Sequence, residues 1–208
     1  MKTAKAAITR QYLPLADEGR IHGLTWDGSR VWLCRDEELV AFDPKTERVV
    51  KRHAVPGAAA GTAFDGTHLY QLAKGEILVL EPDSGRVVRT LPAPGKGEDS
   101  GMAWSDGYLW IGQYHGAKIH KVDPKTGEIV KTLTSDRFVT GVSFADGALW
   151  HATMQDGKPT EIRRLASDGT VEEVLDVPTK RLAGMEADGA GGFWCAGENG
   201  RVLLVTPR

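Results

Sequence analysis

A glycine, a short apolar run, an Asp-Gly-type turn and an aromatic residue recur in that order five times along this chain. The opening glycines are Gly23, Gly61, Gly101, Gly141 and Gly184, spaced by 38, 40, 40 and 43 residues. The aromatics are Trp32, Tyr70, Trp110, Trp150 and Trp194. A period near 40 residues with turn signals inside each copy marks a repeat architecture, in which each unit buries its apolar face only against its neighbours.

The third copy shows the unit. Gly101-Met102-Ala103-Trp104 is a short apolar strand A, and Ser105-Asp106-Gly107 is a tight turn, because Asp and Gly tolerate positive φ. Tyr108-Leu109-Trp110-Ile111-Gly112 is strand B, rich in β-formers. After the polar loop Gln113 to Gly116, Lys118 to Val122 (strand C) and Glu128 to Leu133 (strand D) alternate polar and apolar residues around the turn Asp123-Pro124-Lys125-Thr126-Gly127. The A–B turns of the other copies are Asp27-Gly28, Asp65-Gly66, Asp146-Gly147 and Asp188-Gly189. No helical pattern intervenes. Four-stranded antiparallel meanders at this period are the blades of a β-propeller. The expected fold is all-β: one domain over residues 1–208, with blades at about 19–57, 58–96, 97–136, 137–179 and 180–208. The fifth copy lacks a strand D, and residues 6–14 resemble Arg48 to Pro56. The N-terminal strand is therefore expected to complete the last blade, close the ring and cover an open edge.

Composition excludes several functions. A net charge of −2 and a pI of about 6.3 provide no basic field for nucleic acid. No apolar run approaches the roughly 18–20 residues of a membrane span, and residues 1–8 lack the apolar region of a secretory signal. A cytoplasmic monomer with a small-molecule or peptide ligand is expected. Cys34 and Cys195 make no disulfide framework and read as buried thiols. All six tryptophans fall on strand-A or strand-B pattern positions and read as packing between blades.

The repeat also separates scaffold from exception. The residue before the glycine is His22, Ala60, Ser100, Thr140 or Ala183; two after it stand Thr25, Ala63, Ala103, Ser143 and Glu186. His22 and Glu186 break otherwise small-residue sets on the innermost strand, in copies that become neighbours if the ring closes. Strand parity allows them to face each other or to face apart. Together they form the candidate acid–base pair, set against the plainer reading of satisfied buried polar groups. After the strand-B aromatic come Leu33, Gln71, Ile111, His151 and Cys195, where His151 is the outlier. The B–C and D–A loops differ from copy to copy and are the expected functional face. They add the candidate ligand residues Arg35, Gln113, Tyr114, His115, Glu98, Arg137 and Arg181, with Asp99 counted among the solvated loop residues. No cofactor is expected. His22, His115, His151, Glu98 and Glu186 are the groups that could gather a divalent cation on the axis, which spacing alone does not show.

The recurrent Gly-x-x-x-Asp-Gly-x-x-Leu-Trp pattern, followed by segments such as Val122-Asp123-Pro124-Lys125-Thr126-Gly127-Glu128-Ile129-Val130, resembles the repeats of the glutamine cyclotransferase, streptogramin lyase and gluconolactonase-like families. The likeness covers nearly the whole chain, rests on turn and core residues, and fits the five-bladed cyclotransferase type best. It implies an enzyme of cyclotransferase-, lyase- or hydrolase-like activity on a small molecule or peptide terminus in the central funnel; the other reading is a non-catalytic binding propeller. The metal-holding acid that tends to end strand B in the lyases has no counterpart in Leu33-Cys34-Arg35, Ile111-Gly112-Gln113 or His151-Ala152-Thr153. Where the cyclotransferases tend to carry Gln before the glycine, this chain offers His22.

Overall fold

The structure is a computed structural model that describes residues 1–15 and 19–208. After β1 (Lys2–Tyr12), copy 1 forms β2 (Gly23–Trp26), β3 (Val31–Arg35), β4 (Glu38–Asp43) and β5 (Arg48–Ala54). Copy 2 forms β6 (Ala58–Phe64), β7 (Leu69–Ala73), β8 (Glu76–Leu80) and β9 (Val87–Pro92). Copy 3 forms β10 (Asp99–Ser105), β11 (Tyr108–Gln113), β12 (Lys118–Val122) and β13 (Ile129–Thr134). Copy 4 forms β14 (Phe138–Ala145), β15 (Ala148–Met154), β16 (Glu161–Leu165) and β17 (Val171–Asp176). Copy 5 supplies β18 (Met185–Ala187), β19 (Phe193–Ala196) and β20 (Val202–Pro207), with a 3-10 turn at Glu198–Gly200. Within each copy the strands pair antiparallel in sequence order. Among the described residues there is no α-helix, and none long and apolar enough to cross a membrane.

Copies 1 to 3 are separate four-stranded sheets, whereas copies 4 and 5 share one sheet ordered β14-β15-β16-β17-β1-β20-β19-β18. Residues 6–12 of β1 run antiparallel to β20, from Ala6 opposite Pro207 to Tyr12 opposite Val202. This is the fourth-strand position of copy 5. Residues 2–5 run parallel to β17, which the sequence did not suggest. The cause is length: β1 continues past the end of β20 at Pro207 and meets the open edge of β17.

The five opening glycines are required for close approach, not for an unusual φ. A Cβ on Gly23 would lie 2.5 Å from the Ala60 carbonyl oxygen, and one on Gly61 would lie 2.5 Å from the Met102 nitrogen. The corresponding distances are 2.6 Å from Gly101 to the Gly141 Cα, 2.8 Å from Gly141 to the Met185 nitrogen and 3.0 Å from Gly184 to the Gly23 Cα. Innermost strands therefore meet backbone to backbone, and the series of contacts ends where it starts.

Aromatics fill the wider space outside. Tyr70 stacks on Trp104 with centroids 5.4 Å apart, Trp110 on Phe144 at 6.4 Å, and Trp194 lies 5.5 Å from Trp26. Trp150 meets Phe193, and Trp32, fully buried, packs in the cluster that includes Phe64. Truncating such a residue costs about 3–5 kcal/mol. The A–B turns are of two kinds. Ser105 pairs with Tyr108 and Ala145 with Ala148 across two-residue Asp-Gly turns, with φ of 50° at both Asp106 and Asp146. In copies 1, 2 and 5 the loop is wider, and the aspartate accepts backbone N–H groups instead: Asp27 from Ser29 and Arg30, Asp65 from Thr67 and His68, Asp188 from Ala190 and Gly192. Asp27 also accepts the Trp32 indole N–H at 2.8 Å and Asp65 the Tyr70 hydroxyl at 3.1 Å, so turn and core fix each other. Cys34 and Cys195 are buried free thiols, and burial pushes the Cys34 thiol up to about 12.

Candidate functional site

Two adjoining cavities, of about 410 and 360 Å³, open on the face that carries the B–C and D–A loops; His22, Ala59, Ala60 and Asp99 border both. Each volume falls in the range of small-ligand sites. His22 sits just before β2, where its N–H donates to the Cys34 carbonyl at 2.8 Å. Its Nε2 lies 3.3 Å from Asp36 Oδ1. Asp36 and the next residue, Glu37, form the tip of the β3–β4 hairpin at φ of 33° and 67°. Such a turn ordinarily takes Gly or Asn, as copy 2 does with Gly75 after Lys74. Here strained backbone brings two carboxylates to the border of the larger cavity.

Asp99 opens β10 beneath this rim. Its Oδ2 accepts the Gly95 N–H at 3.0 Å, and Oδ1 has no hydrogen-bond partner among the described residues. A Cβ on Gly95 would fall 2.4 Å from Oδ1, so the absent side chain makes room for the carboxyl. Burial raises the Asp99 pKa to about 6, against the opposing pull of the Gly95 N–H and the Gln113 amide. The smaller cavity is completed by Ser100, Tyr114, Thr140, Met154, Arg181, Leu182 and Ala183. Thr140 is 5 % exposed and its Oγ1 has no partner among the described residues.

The site expected from sequence is thus partly assembled and partly corrected. His22, Tyr114 and Arg181 border the cavities, and Gln113 stands opposite Asp99 in the β10–β11 register. Glu186 and His22 are not joined. Glu186 accepts hydrogen bonds from Thr25 Oγ1 at 2.9 Å, Ser143 Oγ at 2.7 Å and the Ala187 N–H at 3.1 Å, and borders neither cavity. It lies in the layer of residues two after each glycine, where Thr25, Ala63, Ala103 and Ser143 are buried; there desolvation raises its pKa to about 7. His151 borders neither cavity. It is fully buried on β15 opposite Val142 and Arg163, neither ring nitrogen has a partner among the described residues, and burial lowers its pKa to about 4. His115 and Glu98 form an exposed pair at 3.2 Å, Arg35 pairs with Asp36 and Glu38, and Arg137 pairs with Glu161 at 2.9 Å; none of the four borders either cavity. Among the described residues no three His, Cys, Asp or Glu side chains gather as metal ligands, so the five cation candidates do not converge.

The group missed was Asp99. Two residues before each glycine stand Ile21, Ala59, Asp99, Val139 and Leu182, so the comparison that exposed His22 and Glu186 exposes Asp99 once it is shifted by one position.

The chain superposes on the crystal structure of Myxococcus xanthus glutaminyl cyclase with a TM-score of 0.80, over 99 % of this chain and 97 % of that one, at 19 % identity. The fold is a β-propeller. The resemblance to glutamine cyclotransferases read from the repeats holds at the level of fold. Looser likenesses, both with TM-scores of 0.57, are to the WD40 propeller domain of Doa1 (15 % identity, 91 % of this chain and 64 % of that one) and to a chain of the mitotic checkpoint complex (13 %, 88 % and 73 %). No family model matches the chain, and no curated protein matches it in sequence.

Proposed function

We propose that this chain is a single-domain, five-bladed propeller closed by β1, and that it acts as an enzyme on a peptide terminus or small amide in the paired cavities. The reading deepens to a glutaminyl-cyclase-like reaction, with Asp99 as the acid–base group. The observation that carries it is Asp99 itself: a half-buried carboxyl bordering both cavities, with no ion pair among the described residues and a pKa of about 6. The cycle of glycine contacts and the seat of β1 on β20 support the closed ring. Near-full coverage of the glutaminyl cyclase fold supports the reaction class.

Cyclisation of an N-terminal glutaminyl residue joins its α-nitrogen to its own side-chain carbonyl carbon, breaks the bond to the amide nitrogen and expels ammonia. One proton must leave the attacking amine and one must reach the departing nitrogen. A carboxyl whose pKa lies near the working pH performs both transfers. Asp36 and Glu37 bring two carboxylates to the larger cavity against one ammonium, Lys74, which lies 3.5 Å from Glu37, and the excess negative charge attracts the substrate ammonium. His22, held by Asp36, borders the same space and supplies a second polar contact.

The test is ammonia release and the matching mass loss from short glutaminyl peptides. Asp99→Asn should lower kcat/KM by about a hundredfold to ten-thousandfold. In the parent protein, activity should rise with pH through about 6 as Asp99 ionises. Unchanged turnover in the variant, or no ammonia from any such peptide, would overturn the assignment.

A further inference from the structure

We infer that Arg181 and Thr140 form a carboxylate subsite in the smaller cavity, so that the preferred substrate carries an acid as well as an amine. The inference rests on that cavity being the substrate site; it does not depend on the cyclisation chemistry.

Arg181 lies between β17 and β18 and is half-buried. It borders the 360 Å³ cavity on one side and a pocket of about 100 Å³ on the other. Glu198 borders that second pocket, but among the described residues no carboxylate pairs with the Arg181 guanidinium. Arg137 is committed to Glu161, Arg163 to Glu161 and Asp136, and Arg35 to Asp36 and Glu38, while the exposed Arg20 shares only the 100 Å³ pocket with Arg181. Of these arginines, Arg181 is the one that borders the 360 Å³ cavity.

Thr140 is the independent observation. A hydroxyl buried to this extent ordinarily has a partner, because an unmet donor costs about 1–3 kcal/mol. Its position, the residue before Gly141, is also where His22 stands in copy 1, and both border the same cavity. A planar carboxylate matches the guanidinium fork, and its second oxygen would meet the Thr140 hydroxyl once that side chain turns from its solvent-shielded rotamer. Asp36 and Glu37 border the other cavity, Glu37 with Lys74 at 3.5 Å, and Asp99 borders both. The charge pattern therefore orients a zwitterion, ammonium toward Asp99 and carboxylate toward Arg181.

Two sources supply such a carboxylate, the C-terminus of a very short peptide or an acidic second residue. The probes are glutaminyl-glycine, its C-terminal amide, and the amide of glutaminyl-glutamate. They are titrated calorimetrically into the Asp99→Asn variant, with and without Arg181→Gln; thermal melts confirm that both fold. If the parent protein releases no ammonia, the same titrations are made on the parent and on Arg181→Gln alone. At least one acid-bearing probe should bind about tenfold or more tighter than the glycine amide, and Arg181→Gln should erase that difference while leaving amide binding unchanged. Which acid gains names the source. Equal binding of acids and amide, a preference that survives Arg181→Gln, or no binding of any probe overturns the subsite. Acid preference without ammonia release keeps the subsite and removes the cyclase reading.

Discussion

Replacing Glu186 with Gln should make the protein more stable at neutral and alkaline pH. Glu186 is held by hydroxyls from two neighbouring copies, Thr25 and Ser143, inside a layer of buried small residues. Burial raises its pKa from 4.5 to about 7 even though all three hydrogen bonds favour the ionised form. The native state therefore retains a proton that the unfolded chain gives up near 4.5. Stability from this group is complete below that pH and falls as pH rises to about 7, by roughly 1.4 kcal/mol per pH unit and about 3 kcal/mol in all. Glutamine keeps an acceptor for one hydroxyl and offers a donor to the other, but it has no charge to bury. At pH of about 8 the variant should exceed the parent by up to about 3 kcal/mol, or roughly 6–12 °C in Tm for a chain of this size. Near pH 4 the two should coincide. Urea unfolding followed by tryptophan fluorescence across that range measures both limbs. Parallel stability curves for parent and variant would show that the native carboxyl is not raised, and a uniform loss would show that it acts only as an acceptor.

His151 tilts the profile the other way. Its pKa is lowered to about 4, so its contribution is present above about 6.5 and is lost as pH falls through 4. His151→Leu, which copies Leu33 of the first repeat, should raise stability by about 1–3 kcal/mol at neutral pH by removing two unmet ring nitrogens, and by more in acid. A loss at both pH values in denaturant titrations would refute that account. Deleting residues 1–12 strips the edges of β17 and β20 together. The product should be insoluble or should melt without cooperativity, and a soluble truncation with a sharp calorimetric transition would count against β1 as the closing strand.

The one-dimensional pattern carried the strands, the turns and the packing roles of all six tryptophans, because each repeat writes the same local rules five times and its exceptions stand out. Gly23, Gly61, Gly101, Gly141 and Gly184 were legible as a series, yet their reason, backbone meeting backbone, is a distance between copies. The same limit governs the site. Sequence singled out His22, Glu186 and His151 as equally anomalous residues. Only the tertiary structure gave His22 to a cavity beside Asp36, Glu186 to a buried layer between Thr25 and Ser143, and His151 to a sealed space opposite Val142 and Arg163. Charge and periodicity say that a polar residue departs from the pattern. Whether water, a carboxylate or nothing meets it depends on which copies become neighbours, and that is decided when the chain folds.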